Sequence, residues 1–283
     1  MEDRPVAEEV DHIELTEPYV PRANIAATPE HPDGTVEGGW AKKHEHESVL
    51  QQHVHWWDPD HDGVIWPWDT FSGFHQLGFA LFWCILSVFI IHPGFSWFTN
   101  ESWIPNPLMP INVKHIHRAK HGSDAGVYDN AGRFVPARFE ALFAKFGGDK
   151  GGITFWDGLR ARRRPLGMLR ANRNIADPVG WTGAFFELVA TYLLIWPKDG
   201  IMTKEDWRVV YDGSIFPVVA ARERERVESA RRSSLFFRLF ALLPLSGWFK
   251  ENRAQSEEEV RKDDKDVDGK GSVWLEQKYR GRY

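Results

Sequence analysis

Residues 58–69 read Asp-Pro-Asp-His-Asp-Gly-Val-Ile-Trp-Pro-Trp-Asp, and an apolar run over 77–91 without one charged side chain begins eight residues beyond them. That pair of features constrains the fold more than any other. Calcium takes oxygen ligands, and the EF-hand loop supplies them from positions 1, 3, 5, 7, 9 and 12 around a glycine turn at position 6. Asp58, Asp60 and Asp62 fill the first three positions, Gly63 the turn, and Val64 offers its carbonyl at the seventh. Ile65 is the apolar residue that faces a partner loop. Trp66 brings no ligand oxygen, so water must complete the ninth position. Asp69 stands at the twelfth, where Glu is usual; one methylene shorter, it weakens calcium binding and lets magnesium compete. Leu50, Val54 and Trp57 precede the loop at the spacing of one helical face. An acidic surface turn would need none of this pattern.

A chain of 283 residues with net charge −5 gives no reason to expect a nucleic-acid partner. Its 14 Trp and 19 Phe suit membrane interfaces as well as cores. One cysteine, Cys84, excludes an intrachain disulfide. The first fifty residues lack the basic and apolar regions of a signal peptide, so an intracellular protein attached through an internal segment is expected.

The expected architecture is mainly α. An extended N-terminal arm covers 1–47, an EF-hand 48–76, and a hydrophobic anchor with a proline-rich turn 77–110. A helical domain with degenerate EF-like loops covers 111–216, and a charged, amphipathic extension 217–283. The apolar run falls short of the ~20 residues a membrane-crossing helix needs. A break at Pro93 therefore predicts a re-entrant hairpin that returns at Pro105, Pro107 and Pro110. A degenerate loop around Gly200, with Ile195, Pro197 and Asp199 at ligand positions, Met202 at the eighth and Asp206 at the twelfth, is the expected silent partner of the acidic loop. A weaker one surrounds Gly132. Beyond 217, alternating Arg and Glu lead into an apolar stretch at 235–243, then a solvated tail at 250–271.

Histidines cluster at His44/His46, His53/His55 and His115/His117/His121. His117 and His121 share a helical face, yet neither a cysteine partner nor an HExxH frame supports zinc. Five stretches resemble the caleosins, the calcium-binding peroxygenases of lipid droplets. They are Pro18-Tyr19-Val20-Pro21-Arg22 with Glu30-His31-Pro32; Leu50-Gln51-Gln52-His53-Val54 before the acidic loop; Trp66-Pro67-Trp68-Asp69-Thr70; Ile116-His117-Arg118-Ala119-Lys120-His121-Gly122-Ser123-Asp124 with Tyr128-Asp129; and Tyr211-Asp212-Gly213-Ser214-Ile215-Phe216. The length of the C-terminal extension resembles fungal members.

The resemblance implies a b-type haem associated with His53 and His121. It also implies calcium at Asp58, Asp60, Asp62, Val64 and Asp69. It further implies that oxygen passes from fatty-acid hydroperoxides to unsaturated lipids at a lipid-droplet or endoplasmic-reticulum surface facing the cytosol. The anchor's proline segment departs from the plant pattern, and Asp69 departs from the family's Glu. One histidine is expected as the proximal ligand, with His121 favoured, and the second as a labile ligand or distal acid–base group. A spanning anchor would part the two rings by about 30 Å, so the segment must return to the side it left. A calcium-responsive droplet coat without catalysis is the competing reading, and a zinc hydrolase a weaker third. Self-association into a homo-oligomer is compatible with either of the first two.

Overall fold

The structure, a computed structural model, describes residues 24–159 and 167–233. Three sequence features lie outside them: the 18–22 block, the apolar stretch at 235–243 and the charged tail.

The fold is mainly helical: α1 is Trp40–Lys43, α2 Val49–His55, α3 Pro67–Gln76, α4 Leu81–Thr99, α5 Pro136–Phe146, α6 Phe155–Leu159, α7 Met168–Ala171, α8 Pro178–Ile195, α9 Lys204–Tyr211 and α10 Ile215–Ser233. Among the described residues, four short strands join them: β1 Val64–Ile65, β2 Ile111–Asn112, β3 Gly152–Thr154 and β4 Ile201–Thr203. Strand β1 pairs antiparallel with β2, Ile65 opposite Ile111, and β3 with β4, Ile153 opposite Met202. The molecule thus contains two strand-paired halves.

Local chemistry sets the helix ends. Ser48 caps α2 in a box with Gln51, and Thr203 caps α9 in a box with Asp206, each satisfying backbone N–H groups left free in a first turn. Pro67, Pro136 and Pro178 open their helices at positions whose N–H has no intrahelical acceptor. The main core gathers Phe134, Phe139, Ile153, Leu188, Ile195, Met202 and Ile215, and a smaller cluster forms around Ile65, Ile111 and Ile116.

The structure revises three expectations. The N-terminal arm is folded from residue 24 onward: Ala26, Ala27, Thr28 and Thr35 are buried. Thr35 Oγ1 bonds Asp212 at 2.5 Å and receives the Arg208 guanidinium at 2.9 Å. A buried ion pair needs such extra bonds to offset its desolvation, so the arm is held by polar chemistry that periodicity does not register.

The silent partner is also different. The loop around Gly200 pairs with the segment after α5, while the acidic loop pairs with the segment after α4. Gly63, Gly151 and Gly200 hold φ of 82°, 70° and 72°, and Met109 holds φ of 50° two residues before Ile111. A methionine in this left-handed turn, where glycine is the unstrained residue, is why the sequence concealed the true partner.

Finally, α4 does not break at Pro93. It is one 19-residue helix, with α3 and the Val113–Ala119 3-10 turn packed against it, in place of the two arms of a hairpin. A proline inside a helix costs about 3 kcal/mol. Next to it, the buried His92 ring is anchored by Thr70 Oγ1 at 2.8 Å and the Met109 carbonyl at 2.7 Å. The chain then returns through 100–110 to place β2 beside β1.

Candidate functional site at the junction of the two halves

Within the acidic loop, carboxylate oxygens of Asp58, Asp60 and Asp62 lie within 4.8 Å of one another. Asp58 Oδ2 accepts from the Gly63 N–H at 2.9 Å, while its Oδ1 is buried with no hydrogen-bond partner. Burial raises the Asp58 pKa and the charges of Asp60 and Asp62 add to this, against the Gly63 hydrogen bond. Three carboxylates gathered around an orphaned buried oxygen fit a hard cation. Val64 lies in β1 opposite Asn112. Asp69 stands outside the triad's cluster: its Oδ2 accepts from the Trp66 N–H at 2.8 Å, a bond that closes the first turn of α3.

His53 sits on α2 and faces the second half. Its Nδ1 lies 2.6 Å from the Val210 carbonyl, which can only accept, so Nδ1 carries the proton and Nε2 keeps its lone pair. Phe216 packs edge-on to the ring at 5.2 Å. Burial lowers the His53 pKa, opposed by the Val210 bond and by the charges of Glu187 and Asp212. The backbone approaches closely here: a Cβ on Gly213, whose φ is 77°, would lie 2.7 Å from the Gln52 carbonyl oxygen and 2.8 Å from His53 Cα.

His121 follows the Val113–Ala119 turn and faces α8. Its Nε2 lies 3.3 Å from Glu187 Oε1, and its Nδ1 is buried without a partner. The Glu187 bond raises the His121 pKa against the effect of burial. The same carboxylate acts electrostatically on His53, Tyr128 and Tyr211. The fold therefore brings both predicted histidines under the influence of one acid. Tyr128 adds a hydroxyl that donates to the Tyr211 carbonyl at 2.5 Å.

Sequence reasoning missed Glu187, Tyr128 and Tyr211 as members of this neighbourhood. A signal existed for Glu187, the one charged residue of α8. An ionisable group in an otherwise apolar helix marks a functional candidate. The His117 pKa is lowered by burial and by Arg118 and His115. The His117/His121 zinc pair finds no third ligand among the described residues.

Fold and site define a helical protein with two pairs of strand-paired loops, one loop of the first pair being acidic, and two imidazoles that each face the second half, His53 at Val210 and His121 at Glu187. The Caleosin related protein family model matches residues 45–220, and the chain belongs to the caleosin family. It is 40% identical over 220 residues to a peroxygenase of Lilium longiflorum, covering 78% of this chain and 84% of the relative. It is 35% identical over 189 residues to probable peroxygenase 4 of Arabidopsis thaliana, covering 67% and 90%. A probable inactive peroxygenase-like protein of Arabidopsis thaliana is 31% identical over 161 residues, covering 57% of this chain and 73% of the relative. No solved structure matches.

Proposed function

We propose that this caleosin is a calcium-dependent haem peroxygenase that works against a lipid surface. In the net reaction the O–O bond of a fatty-acid hydroperoxide breaks, the donor leaves as an alcohol, and one oxygen becomes an epoxide or hydroxyl on an unsaturated lipid. Peroxygenase-type enzymology rests on family membership and on the named relatives. Because one relative is described as inactive, the particular residues carry the rest.

The observation that carries the reading is the complementary hydrogen bonding of the two imidazoles. His53 has its Nδ1 proton committed to Val210 and its Nε2 lone pair uncommitted, the arrangement of a metal-ligating histidine fixed by an outer carbonyl. His121 has its Nε2 on Glu187 and its Nδ1 buried without a partner. This fits a haem held by His53, reversing the preference for His121 drawn from sequence. When bound, the haem supplies the iron at which the peroxide bond is cleaved. His121 Nδ1 takes the hydroperoxide proton and returns it to the departing alcohol, while Glu187 steadies the imidazolium through Nε2. Tyr128 and Tyr211 keep their hydroxyl protons, since burial raises both pKa values.

Calcium in the acidic loop would act through α2. Asp58 N–H donates to the His55 carbonyl at 3.2 Å, so drawing the three carboxylates onto a cation tightens the end of the helix that bears His53. The lipid-facing part of the reading rests on α4, which is turned inside out. Its buried side carries Cys84, Ser87, His92, Ser96 and Thr99; its exposed side carries Leu81, Phe82, Ile85, Phe89, Trp97 and Phe98. Ser87 and Thr99 hydroxyls donate to the Cys84 and Phe95 carbonyls of the same helix. Trp103, Ile104 and Leu108 in the following loop are exposed as well. Such a surface suits a lipid-droplet or endoplasmic-reticulum layer better than water.

The absorption spectrum of the purified protein tests this directly. His53→Val should lose the haem band; His121→Val should retain it and lose oxygen transfer. Wild type without a haem band would favour a non-catalytic coat. A chelator that leaves both band and turnover unchanged would remove calcium from the account.

A further inference from the structure

Flanking α2, His44, Glu47 and His55 form a second cluster of metal-ligating groups. His44 Nδ1 lies 2.9 Å from Glu47 Oε2, and His55 Nδ1 lies 3.0 Å from Glu47 Oε1. One donor atom from each of the three lies within 4.8 Å of the others. We propose that these residues bind a zinc-class divalent ion through two imidazole nitrogens and one carboxylate oxygen, separately from the calcium loop and from His53 and His121.

The donor set is right for such an ion. Zinc takes imidazole nitrogen at about 2.0–2.1 Å and carboxylate oxygen at about 2.0–2.2 Å, so tetrahedral ligands sit roughly 3.4 Å apart. The two histidine contacts to Glu47, each to a different carboxylate oxygen, need open by only a few tenths of an ångström. Oxygen-only calcium and magnesium chemistry would not choose imidazoles. A fourth position is within reach of His46, whose exposed Nε2 lies 3.8 Å from Glu47 Oε1, or of water.

The site is also built rather than accidental. His44 is buried, and Glu47 is largely so. The fully buried Gln52 amide donates to the carbonyls of Asn24, His44 and Glu47, fixing the backbone that carries two of the ligands. The third ligand comes from the end of α2. Trp40 packs on the His44 ring at 4.3 Å, and His61 of the acidic loop stacks on the His55 ring at 4.8 Å. Metal sites commonly rely on such outer partners to orient their ligands.

The charge balance points the same way. Among the described residues, the ion-pair partners of Glu47 are His44, His46 and His55. A divalent cation held by the imidazole nitrogens would compensate this carboxylate directly.

The test is equilibrium competition for Zn²⁺ between the untagged full chain and a chromophoric chelator, in calcium-saturated buffer. Wild type should hold one more zinc than His55→Gln, and Glu47→Gln should weaken that site at least tenfold. Asp60→Asn in the acidic loop should leave it unchanged. Zinc-edge X-ray absorption of the wild-type complex should show two imidazoles. His55→Gln is the decisive variant because His55 lies at a partly exposed helix end, and unchanged circular dichroism confirms its fold. Equal zinc stoichiometry and affinity in wild type and His55→Gln would overturn the proposal, as would loss of the zinc in Asp60→Asn.

Discussion

The two strand-paired halves share a backbone device and differ in what it carries. In the first, Gly63, Ile65 and Asp69 stand at a turn, two residues on and six residues on; in the second, Gly151, Ile153 and Asp157 on one strand and Gly200, Met202 and Asp206 on the other repeat that spacing. Each aspartate closes a helix start. Asp206 Oδ2 accepts from the Thr203 N–H at 2.8 Å and hydroxyl at 2.7 Å, Asp157 Oδ2 from the Thr154 N–H at 3.2 Å and hydroxyl at 2.6 Å, and Asp69 Oδ2 from the Trp66 N–H alone. Only the first half adds the Asp58, Asp60 and Asp62 triad. Folding and cation binding are thus separable functions of one motif, and Asp69 belongs first to the folding one.

The sharpest way to break that contrast is Asp206→Ala, which removes a fully buried carboxylate and strands the Thr203 donors. It should lower stability by about 3 kcal/mol in urea denaturation with chelator present. A loss as small as that of an exposed side chain would deny the shared device. Asp60→Ala should weaken calcium binding about 30-fold, or ~2 kcal/mol, by calorimetry, with no change of fold in chelator. Equal calcium affinity would place the ion elsewhere. Asp69→Ala should cost about 1 kcal/mol of stability even without calcium, since its helix-start bond exists without metal. In the silent loop, Asp199→Ala should change stability by no more than ~0.5 kcal/mol and leave calcium affinity untouched.

The smallest effect concerns the contact between the halves. Glu187 raises the His121 pKa, so the stability this bond contributes is fully present below the unfolded value, near 6.5, and is lost as pH rises through the higher folded value. The Glu187 side chain is 59% exposed, which weakens the effect by solvent screening. Wild type should therefore exceed Glu187→Gln in stability at pH 5.5, with the difference vanishing by pH 9. A difference that grows with pH would reverse the assignment.

The acidic loop was readable in sequence because calcium demands particular oxygens at fixed intervals, and the structure gathers three of them. Its partner was not: at 109–111, Met109 replaces the expected glycine, and no acidic ligand pattern surrounds it. The β3 segment was overlooked for a related reason. Phe146, Gly148 and Lys150 occupy its ligand positions, leaving only the Gly151, Ile153 and Asp157 spacing as a trace. The anchor was misjudged because Pro93 was weighed as a breaker, while the stabilising bonds of His92 come from Thr70 and Met109, remote in sequence. His53 and His121 were found through family resemblance; Glu187 left a trace in sequence as the one charge of α8, but its bond to His121 needed three dimensions.

Gly213 gives the junction its tolerance. With no side chain there, the second half can press its main chain directly against the helix that carries His53, at a separation that one methyl group would exceed. The spacing between α2 and the 210–216 segment is therefore gauged by an absence. A displacement of the Tyr211–Ser214 main chain would therefore press on the backbone of Gln52 and His53, with no compressible side chain in between to absorb it.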